Sequence, residues 1–317
     1  MSYSLATILR DGAAISVIHV DDDYYDLTTV APDLFQAAPR QGLLNVFERW
    51  TEGAPILERL AAELRVRPHA AAQIRSPGSD EFLTPLQYPT KVVLMGANYA
   101  DHMKADAGFH DFEKSNKIPT LFFKPPTTTL VGSGKSVRYP VQSNKFDWEI
   151  ELVAVIGKRA RRVREADALG HVAGFTIGVD LSARDWQFHE KHLVKFDLFG
   201  GKGFDDSCPI GPEIVPAQFV DHANLQLKLW VNGELKQNAN THDMIWSLEE
   251  QIAAISEHVT LEAGDILLTG TPAGVGLATG TFLKVGDVVD AEIEGLGRLS
   301  FEIIPDADKP AWQAGAA

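Results

Sequence analysis

Short apolar runs rich in β-branched and aromatic residues, each closed by a turn signal, recur from about residue 90 to residue 305 and limit the folds open to this chain. The runs are KVVLMG, TLFFKP, EIELVAVIG, VAGFTIGVDLS, LQLKLWVNG, DILLTGTP, DVVDAEIEGLG and RLSFEI. Two segments between them have helical character, ARDWQFHEKHL at 183–193 and SLEEQIAAISEH at 247–258, where Ser247 and Glu250 have capping-box spacing. Strands that do not alternate with long helices argue against a doubly wound parallel sheet. The pattern predicts an α+β protein that is mainly β, built as a mixed β-sandwich or roll.

The amino-terminal part of the chain has a different pattern. Residues 4–30 alternate turn signals with β-rich runs, and residues 31–65 have helical spacing. The stretch RSPGSDEFLTPLQYPT at 75–90 is rich in turn residues and has little periodicity, as a linker does. We therefore predict a small amino-terminal α+β domain at 1–85 and a larger β-rich domain at 86–317.

Composition narrows the classes of partner and site. The chain has no run of about 18 apolar residues, so no membrane span is expected. Its net charge of −14 repels phosphate backbones, which makes nucleic acid an unexpected partner. The amino terminus MSYSLATILRDG lacks the pattern of a secretory signal, and we expect a cytoplasmic protein. The one cysteine, Cys208, excludes an internal disulfide and a thiolate metal cluster.

The run FDWEIELVAVIG places three carboxylates, Asp147, Glu149 and Glu151, on one face of a predicted strand. Neighbours on that face lie about 6.6 Å apart and repel by roughly 2.5 kcal/mol at an effective dielectric constant near 20. A solvated edge face would tolerate this repulsion. However, the same face continues through Val153 and Val155, which predicts carboxylates at the margin of the core. A divalent cation would then offset their repulsion.

Asp180 ends the apolar run GFTIGVD and offers a third oxygen ligand for such a cation. Carboxylates without a thiolate favour a hard ion in an oxygen shell. The expected cofactor is Mg²⁺ or Mn²⁺, with Ca²⁺ as the alternative and zinc disfavoured.

An ordered set of motifs over residues 90–305 resembles the fumarylacetoacetate hydrolase family. The motifs are GANYADH (96–102), FFKPPT (122–127), WEIELVAVIGK (148–158), GFTIGVDLSARDWQ (174–187), GKGFDDSCPIGP (201–212), WVNGELKQ (230–237) and LLTGTPAGVG (267–276). The resemblance implies a mixed β-roll catalytic domain, a Mg²⁺ or Mn²⁺ site and a homodimer. It also implies that Glu149, Glu151 and Asp180 are the metal ligands. Residues 1–85 resemble the leading domain of the longer bacterial members.

His102 closes the NYADH motif, and the resemblance implies that it is the general base that activates water. Neutral imidazole accepts a proton at neutral pH and returns it later; a histidine bonded only to backbone is the alternative. Similar family members place a glutamate three residues later, where this chain has Ala105. Either Asp106, Glu113 or another segment replaces that carboxylate, or water activation is weakened. The stretch 104–117 suits a mobile lid or an ordinary surface loop.

Further positions match the family's substrate pocket. The resemblance implies that Lys202 neutralises charge developing on a substrate oxygen, the alternative being a solvated lysine. Arg184 either faces the pocket or ties the start of its helix to a nearby carboxylate, and Thr271 either contacts substrate or belongs to a plain turn. The predicted substrate-binding residues are Tyr99, Lys124, Arg184, Gln187 and Thr271.

These features predict an enzyme that acts on a small 2-oxo or 2,4-dioxo acid. The favoured reaction is metal-dependent hydrolysis of a carbon–carbon bond in an acylpyruvate, with the cation compensating the charge of the enolate that leaves. The alternative is a decarboxylase, isomerase or hydratase of aromatic-compound catabolism, which the absent glutamate partner favours. A second alternative is a member that binds a small acid without catalysis.

Overall fold

The structure, a computed structural model, describes residues 2–35, 42–105 and 114–307. The strands are β1 (Ser4–Arg10), β2 (Ala13–Val20), β3 (Asp23–Asp26), β4 (Gln73–Ile74), β5 (Val92–Gly96), β6 (Thr120–Lys124), β7 (Leu130–Val131), β8 (Ser136–Arg138), β9 (Phe146–Asp147), β10 (Ile150–Ile156), β11 (Val172–Val179), β12 (Ser182–Ala183), β13 (Cys208–Pro216), β14 (Gln226–Val231), β15 (Glu234–Asn240), β16 (Ile266–Leu268), β17 (Val288–Ile293) and β18 (Gly297–Ile304). The α-helices are α1 (Leu27–Val30), α2 (Leu43–Glu48), α3 (Trp50–Val66), α4 (Ala100–Ala105), α5 (Glu165–Ala168), α6 (Arg184–Gln187), α7 (Leu198–Lys202), α8 (Leu248–His258) and α9 (Gly276–Thr279). None of these helices is long and apolar enough to cross a bilayer.

A large mixed sheet organises the molecule and confirms the predicted fold class. Its strand order is β4-β3-β2-β1-β13-β11-β10-β16-β5-β6, and β7 pairs with β13. A second sheet has the order β15-β14-β17-β18-β8. Most pairs are antiparallel, but β16 runs parallel to β5, β18 to β8 and β7 to β13. The apolar side chains of β10 alternate between two core clusters, one with Leu152 and the other with Val153.

The amino-terminal strands continue the large sheet across the predicted domain boundary. Strand β1 pairs antiparallel with β13, with Leu5 opposite Ile214. The core cluster that holds Val153 also contains Leu5 and Phe47. The division into 1–85 and 86–317 stays a prediction, and a shared apolar core joins its two sides.

The predicted helix at 247–258 is confirmed. It forms α8, in which the Ser247 hydroxyl accepts the Glu250 N–H and the Glu250 carboxylate accepts the Ser247 N–H. The predicted helix at 183–193 is wrong beyond Gln187, where α6 ends. The carbonyls that would continue it have other partners: the Gln187 oxygen accepts the Asp197 N–H at 2.8 Å, and the Trp186 oxygen lies 3.0 Å from the His192 ring.

The predicted strand at 146–157 is interrupted at Trp148 and Glu149. Strand β9 pairs with β12 and strand β10 with β11, so the two pieces belong to different ladders. At the break the Trp148 N–H donates to the Asp147 carboxylate and the Ile150 N–H to the Gln237 side chain. Side chains therefore replace the neighbouring strand as the acceptors.

The β14–β15 hairpin offers a test of backbone conformation. Gly233 in the turn has φ +79°, in the left-handed region, whereas Gly170 lies outside that region. A Cβ added at either position would meet no heavy atom within 4 Å. Gly233→Ala should lower the free energy of unfolding by about 1 kcal/mol, because only the left-handed conformation penalises the new side chain. Gly170→Ala, the matched control, should leave it unchanged or slightly higher. Urea denaturation measures both, and equal changes would contradict this account of the turn.

Candidate metal and catalytic site

Three carboxylates converge where strands β10 and β11 meet. Glu149 immediately precedes β10, Glu151 is its second residue, and Asp180 follows the last residue of β11. The antiparallel register places Ile150 opposite Val179, which brings these strand ends together. One oxygen from each carboxylate lies within 4.8 Å of the others.

All three carboxylates are buried, which removes the alternative of a solvated edge face. Glu149 is 5% exposed, and Glu151 and Asp180 are each 1% exposed. The face of Glu151 continues through Val153 and Val155 into the core, as the sequence predicts. The cost of burying these charges must therefore be met by partners inside the protein.

Three cationic side chains supply part of the compensation. Lys202 Nζ donates to Glu149 Oε2 at 2.7 Å and to Asp180 Oδ2 at 2.6 Å. Arg184 Nη2 donates to the other oxygen of Glu149, and Lys124 Nζ lies 2.8 Å from Asp180 Oδ1. Burial alone would raise the pKa of Glu149, but the Lys202 and Arg184 charges outweigh burial and hold that pKa well below its usual value.

The pKa of Glu151 is shifted in the opposite direction from that of Glu149. Its carboxylate accepts the Gly270 N–H at 2.6 Å. Burial raises the pKa of Glu151 well above its usual value, and the Asp180 and Glu149 charges raise it further. A cation among the three carboxylates would offset this repulsion. The residues therefore fit a hard divalent ion held by oxygen ligands.

The protein also uses the amine of Lys124 to hold the site together. This side chain is 1% exposed. Its Nζ donates to the backbone carbonyls of Leu181 at 3.1 Å, of Ser207 at 3.0 Å and of Lys202. It also donates to the Ser207 hydroxyl. With Asp180 as a further neighbour, these contacts favour a role in fixing Asp180. A contact of Lys124 with substrate stays a prediction.

Tyr99 is fully buried, and its hydroxyl has no hydrogen-bond partner among the described residues. Burial, with an added contribution from the Glu151 charge, raises the pKa of Tyr99 well above its usual value. A neutral phenol at this place retains its donor proton.

Two other predicted pocket residues have protein partners. Thr271 Oγ1 donates to the Ile150 carbonyl at 2.9 Å and accepts from Gln237 Nε2 at 2.8 Å. Gln187 Oε1 accepts from Arg184 Nη1 at 3.1 Å. Gln187 thus binds the guanidinium that also holds Glu149, and Thr271 follows Gly270, whose N–H donates to Glu151. The contacts of both residues with substrate stay predictions.

His102 lies in α4, close enough to Glu149 that a positive charge on its ring would help to lower the pKa of that carboxylate. Its side chain is half-buried. Ala105 ends the same helix three residues later. The proposed substitutes for the family glutamate, Asp106 and Glu113, lie outside the described residues, as does most of the predicted lid.

Two residues outside the predicted site set also shape the site. The sequence left Asp147 either as a neighbour of the metal ligands or as a solvated group; the structure buries it fully and bonds it to Arg184, which removes the solvated alternative. Gln237 reaches from β15 to the Ile150 N–H and to Thr271. Its presence in the WVNGELKQ motif gave no indication of these contacts.

Comparisons with known proteins support the family resemblance and the fold. Residues 91–304 match the family model described as fumarylacetoacetate (FAA) hydrolase C-terminal. A relative from Rattus norvegicus, oxaloacetate tautomerase Fahd2a, mitochondrial, is 37% identical over 285 residues, which cover 88% of this chain and 83% of the relative.

Two solved structures are similar along the chain. The fumarylacetoacetate hydrolase of psychrophilic Exiguobacterium antarcticum has a TM-score of 0.78 and 32% identity, covering 96% of this chain and all of that one. The fumarylpyruvate hydrolase of Pseudomonas aeruginosa, in complex with Mn²⁺ and pyruvate, has a TM-score of 0.61 and 33% identity, covering 72% of this chain and 94% of that one.

Glu151→Gln should stabilise the protein in chelator, raising Tm by a few degrees near neutral pH. In the wild type, folding raises the pKa of Glu151. The free-energy cost of burying this carboxylate is therefore absent below its pKa in the unfolded chain and grows as pH rises toward its pKa in the folded protein. The gain should therefore shrink at acidic pH. Thermal denaturation between about pH 4.5 and pH 8 measures it. The exposed Glu257→Gln is the matched control; a similar gain there, or none in Glu151→Gln, would contradict the electrostatic account.

Proposed function

The chain belongs to the fumarylacetoacetate hydrolase family, and we propose that it interconverts the keto and enol forms of a small 2-oxo dicarboxylic acid of the oxaloacetate type. The observation that carries this choice is the imidazole of His102 close enough to influence Glu149, in a helix that ends at Ala105, where similar family members have glutamate. Such a site keeps an imidazole that can move protons, while alanine replaces the glutamate that assists water activation in similar family members. The oxaloacetate tautomerase that covers most of the chain supports the same choice.

Glu149, Glu151 and Asp180 would hold Mg²⁺ or Mn²⁺, and the Mn²⁺ in the fumarylpyruvate hydrolase supports this class of ion. When bound, the cation supplies positive charge that stabilises negative charge developing on a substrate oxygen. Lys202, protonated because Asp180 and Glu149 outweigh the effect of burial and raise its pKa, adds a second positive charge at the same place.

His102 would carry the proton. Conversion of the keto to the enol form breaks one C–H bond at carbon 3 and forms one O–H bond at the 2-oxygen, with no net gain or loss of protons and no water consumed. A neutral imidazole takes the proton from carbon and, as imidazolium, returns it to oxygen. Tyr99, whose hydroxyl has no hydrogen-bond partner in the described part of the chain, would donate a hydrogen bond that orients the acid.

A carbon–carbon bond hydrolase of acylpyruvates is the second candidate, because the fumarylpyruvate hydrolase covers 72% of the chain at 33% identity. That reaction requires His102 to activate water with a carboxylate from another segment. The homodimer implied by the family and a cytoplasmic location are further proposals, while the rat relative is mitochondrial by its name.

Ultraviolet absorbance of enol-oxaloacetate tests the tautomerase directly. With Mg²⁺ or Mn²⁺, the wild-type protein should accelerate conversion to the keto form above the rate with the metal alone, and chelator or Asp180→Asn should abolish the gain. A rate equal to that of the metal alone would contradict the proposal. In that case, cleavage of an acylpyruvate would support the hydrolase, and binding of oxalate without turnover would support a non-catalytic role.

Ala105→Glu should increase hydrolysis of an acylpyruvate about tenfold or more, because the new carboxylate lies one helical turn from His102 and orients its ring. Ala105→Gln is the matched control, equal in size but unable to stabilise imidazolium by charge. Chromatographic measurement of the released acid compares the two variants with the wild type. Equal gains in both variants, or none in Ala105→Glu, would contradict the proposal that alanine at position 105 disfavours hydrolysis.

A further inference from the structure

The carboxylate of Asp147 is fully buried beside the three converging carboxylates, and both of its oxygens have donors. Oδ1 accepts the N–H groups of Trp148 at 2.8 Å and Gly276 at 2.6 Å. Oδ2 accepts the Leu277 N–H at 3.0 Å and Arg184 Nε at 2.8 Å. A carboxylate with four donors has little capacity left for a metal ion, and Asp147 is not in the group of ligand atoms that converge.

Close packing fixes these contacts. An added Cβ at Gly276 would lie 2.7 Å from Asp147 Oδ1 and 2.0 Å from the Thr281 carbonyl oxygen. The start of α9 is therefore pressed against this carboxylate. Asp147 in β9 also pairs with Ser182 in β12. Strand β12 is followed directly by α6, which begins with Arg184.

Arg184 connects Asp147 to the candidate metal ligands. Its Nε binds Asp147, its Nη2 binds Glu149 and its Nη1 binds Gln187 at 3.1 Å. The guanidinium is planar and its donors have fixed directions, so the position of Asp147 determines the direction in which Nη2 points. Arg184 holds one oxygen of Glu149, while Lys202 holds the other.

We infer that Asp147 is a positioning residue for the cation site: through Arg184 it fixes the carboxylate of Glu149, and it locks the Gly276–Leu277 backbone to the same point. This inference rests on the proposed cation binding by Glu149, Glu151 and Asp180. Residues that orient metal ligands in this indirect way typically change metal affinity by about 10- to 100-fold when replaced.

Affinity for Mn²⁺, measured by isothermal titration calorimetry without substrate, tests the inference independently of turnover. Asp147→Asn should weaken binding about tenfold or more. Asp265→Asn is the matched control, because Asp265 is also fully buried, also accepts backbone N–H groups, and pairs with Lys91. It should lower Tm but change Mn²⁺ affinity less than about twofold. Equal losses of affinity in the two variants would overturn the inference.

A double-mutant cycle with Arg184→Gln separates positioning from simple charge. If Asp147 acts through Arg184, Asp147→Asn should have little further effect on Mn²⁺ affinity once Arg184 is replaced. If Asp147 contributes only its negative charge, the effect should persist or increase in the Arg184→Gln background. A persistent effect overturns the inference.

Arg184→Lys provides a test that does not require the Asp147 variant to fold. Lysine keeps the positive charge but cannot bind Asp147 and Glu149 with a fixed fork of donors. Mn²⁺ affinity should fall about fivefold or more relative to the wild type, and unchanged affinity overturns the inference. Absence of Mn²⁺ binding by the wild type would instead refute the proposed cation site itself, and with it the positioning role.

Discussion

The burial of several carboxylates at one point is the constraint on which the rest of this structure depends. Asp147, Glu149, Glu151 and Asp180 are each no more than 5% exposed. Ionised groups removed from water destabilise a fold unless opposite charges and hydrogen bonds compensate them. Lys124, Arg184 and Lys202 supply three cations against four carboxylates in the described part of this site. The remaining imbalance falls on Glu151, whose pKa is raised by burial and by its acidic neighbours.

Irregular backbone around the site brings hydrogen-bond donors and cationic side chains to these carboxylates. The chain leaves the regular sheet at Trp148 and Glu149, where side chains of Asp147 and Gln237 accept the backbone N–H groups. Short helices α6 and α7 then bring Arg184 and Lys202 onto opposite oxygens of Glu149. A cation proposed to bind here would enter a site whose ligands are already oriented, which is the condition for electrostatic catalysis with little reorganisation.

The parts of this arrangement that depend on local pattern could be predicted from the sequence. Alternation along β10 places Glu151 on the face of Val153, and Asp180 ends an apolar run, so convergence of carboxylates could be expected before any coordinates. The capping box of α8 is equally local. The end of α6 at Gln187 could not be predicted, because the Gln187 carbonyl accepts its hydrogen bond from the Asp197 N–H, which lies ten residues further along the chain. The role of Asp147 also depends on donors from the distant α9 segment, which no local pattern contains.

A crystal structure of the protein grown with Mn²⁺, with anomalous data collected near the manganese absorption edge, tests the central claim most directly. The account predicts one anomalous peak bonded to carboxylate oxygens of Glu149, Glu151 and Asp180, with Arg184 still joining Asp147 to Glu149. A peak elsewhere in the molecule, or none among these three side chains, would contradict it.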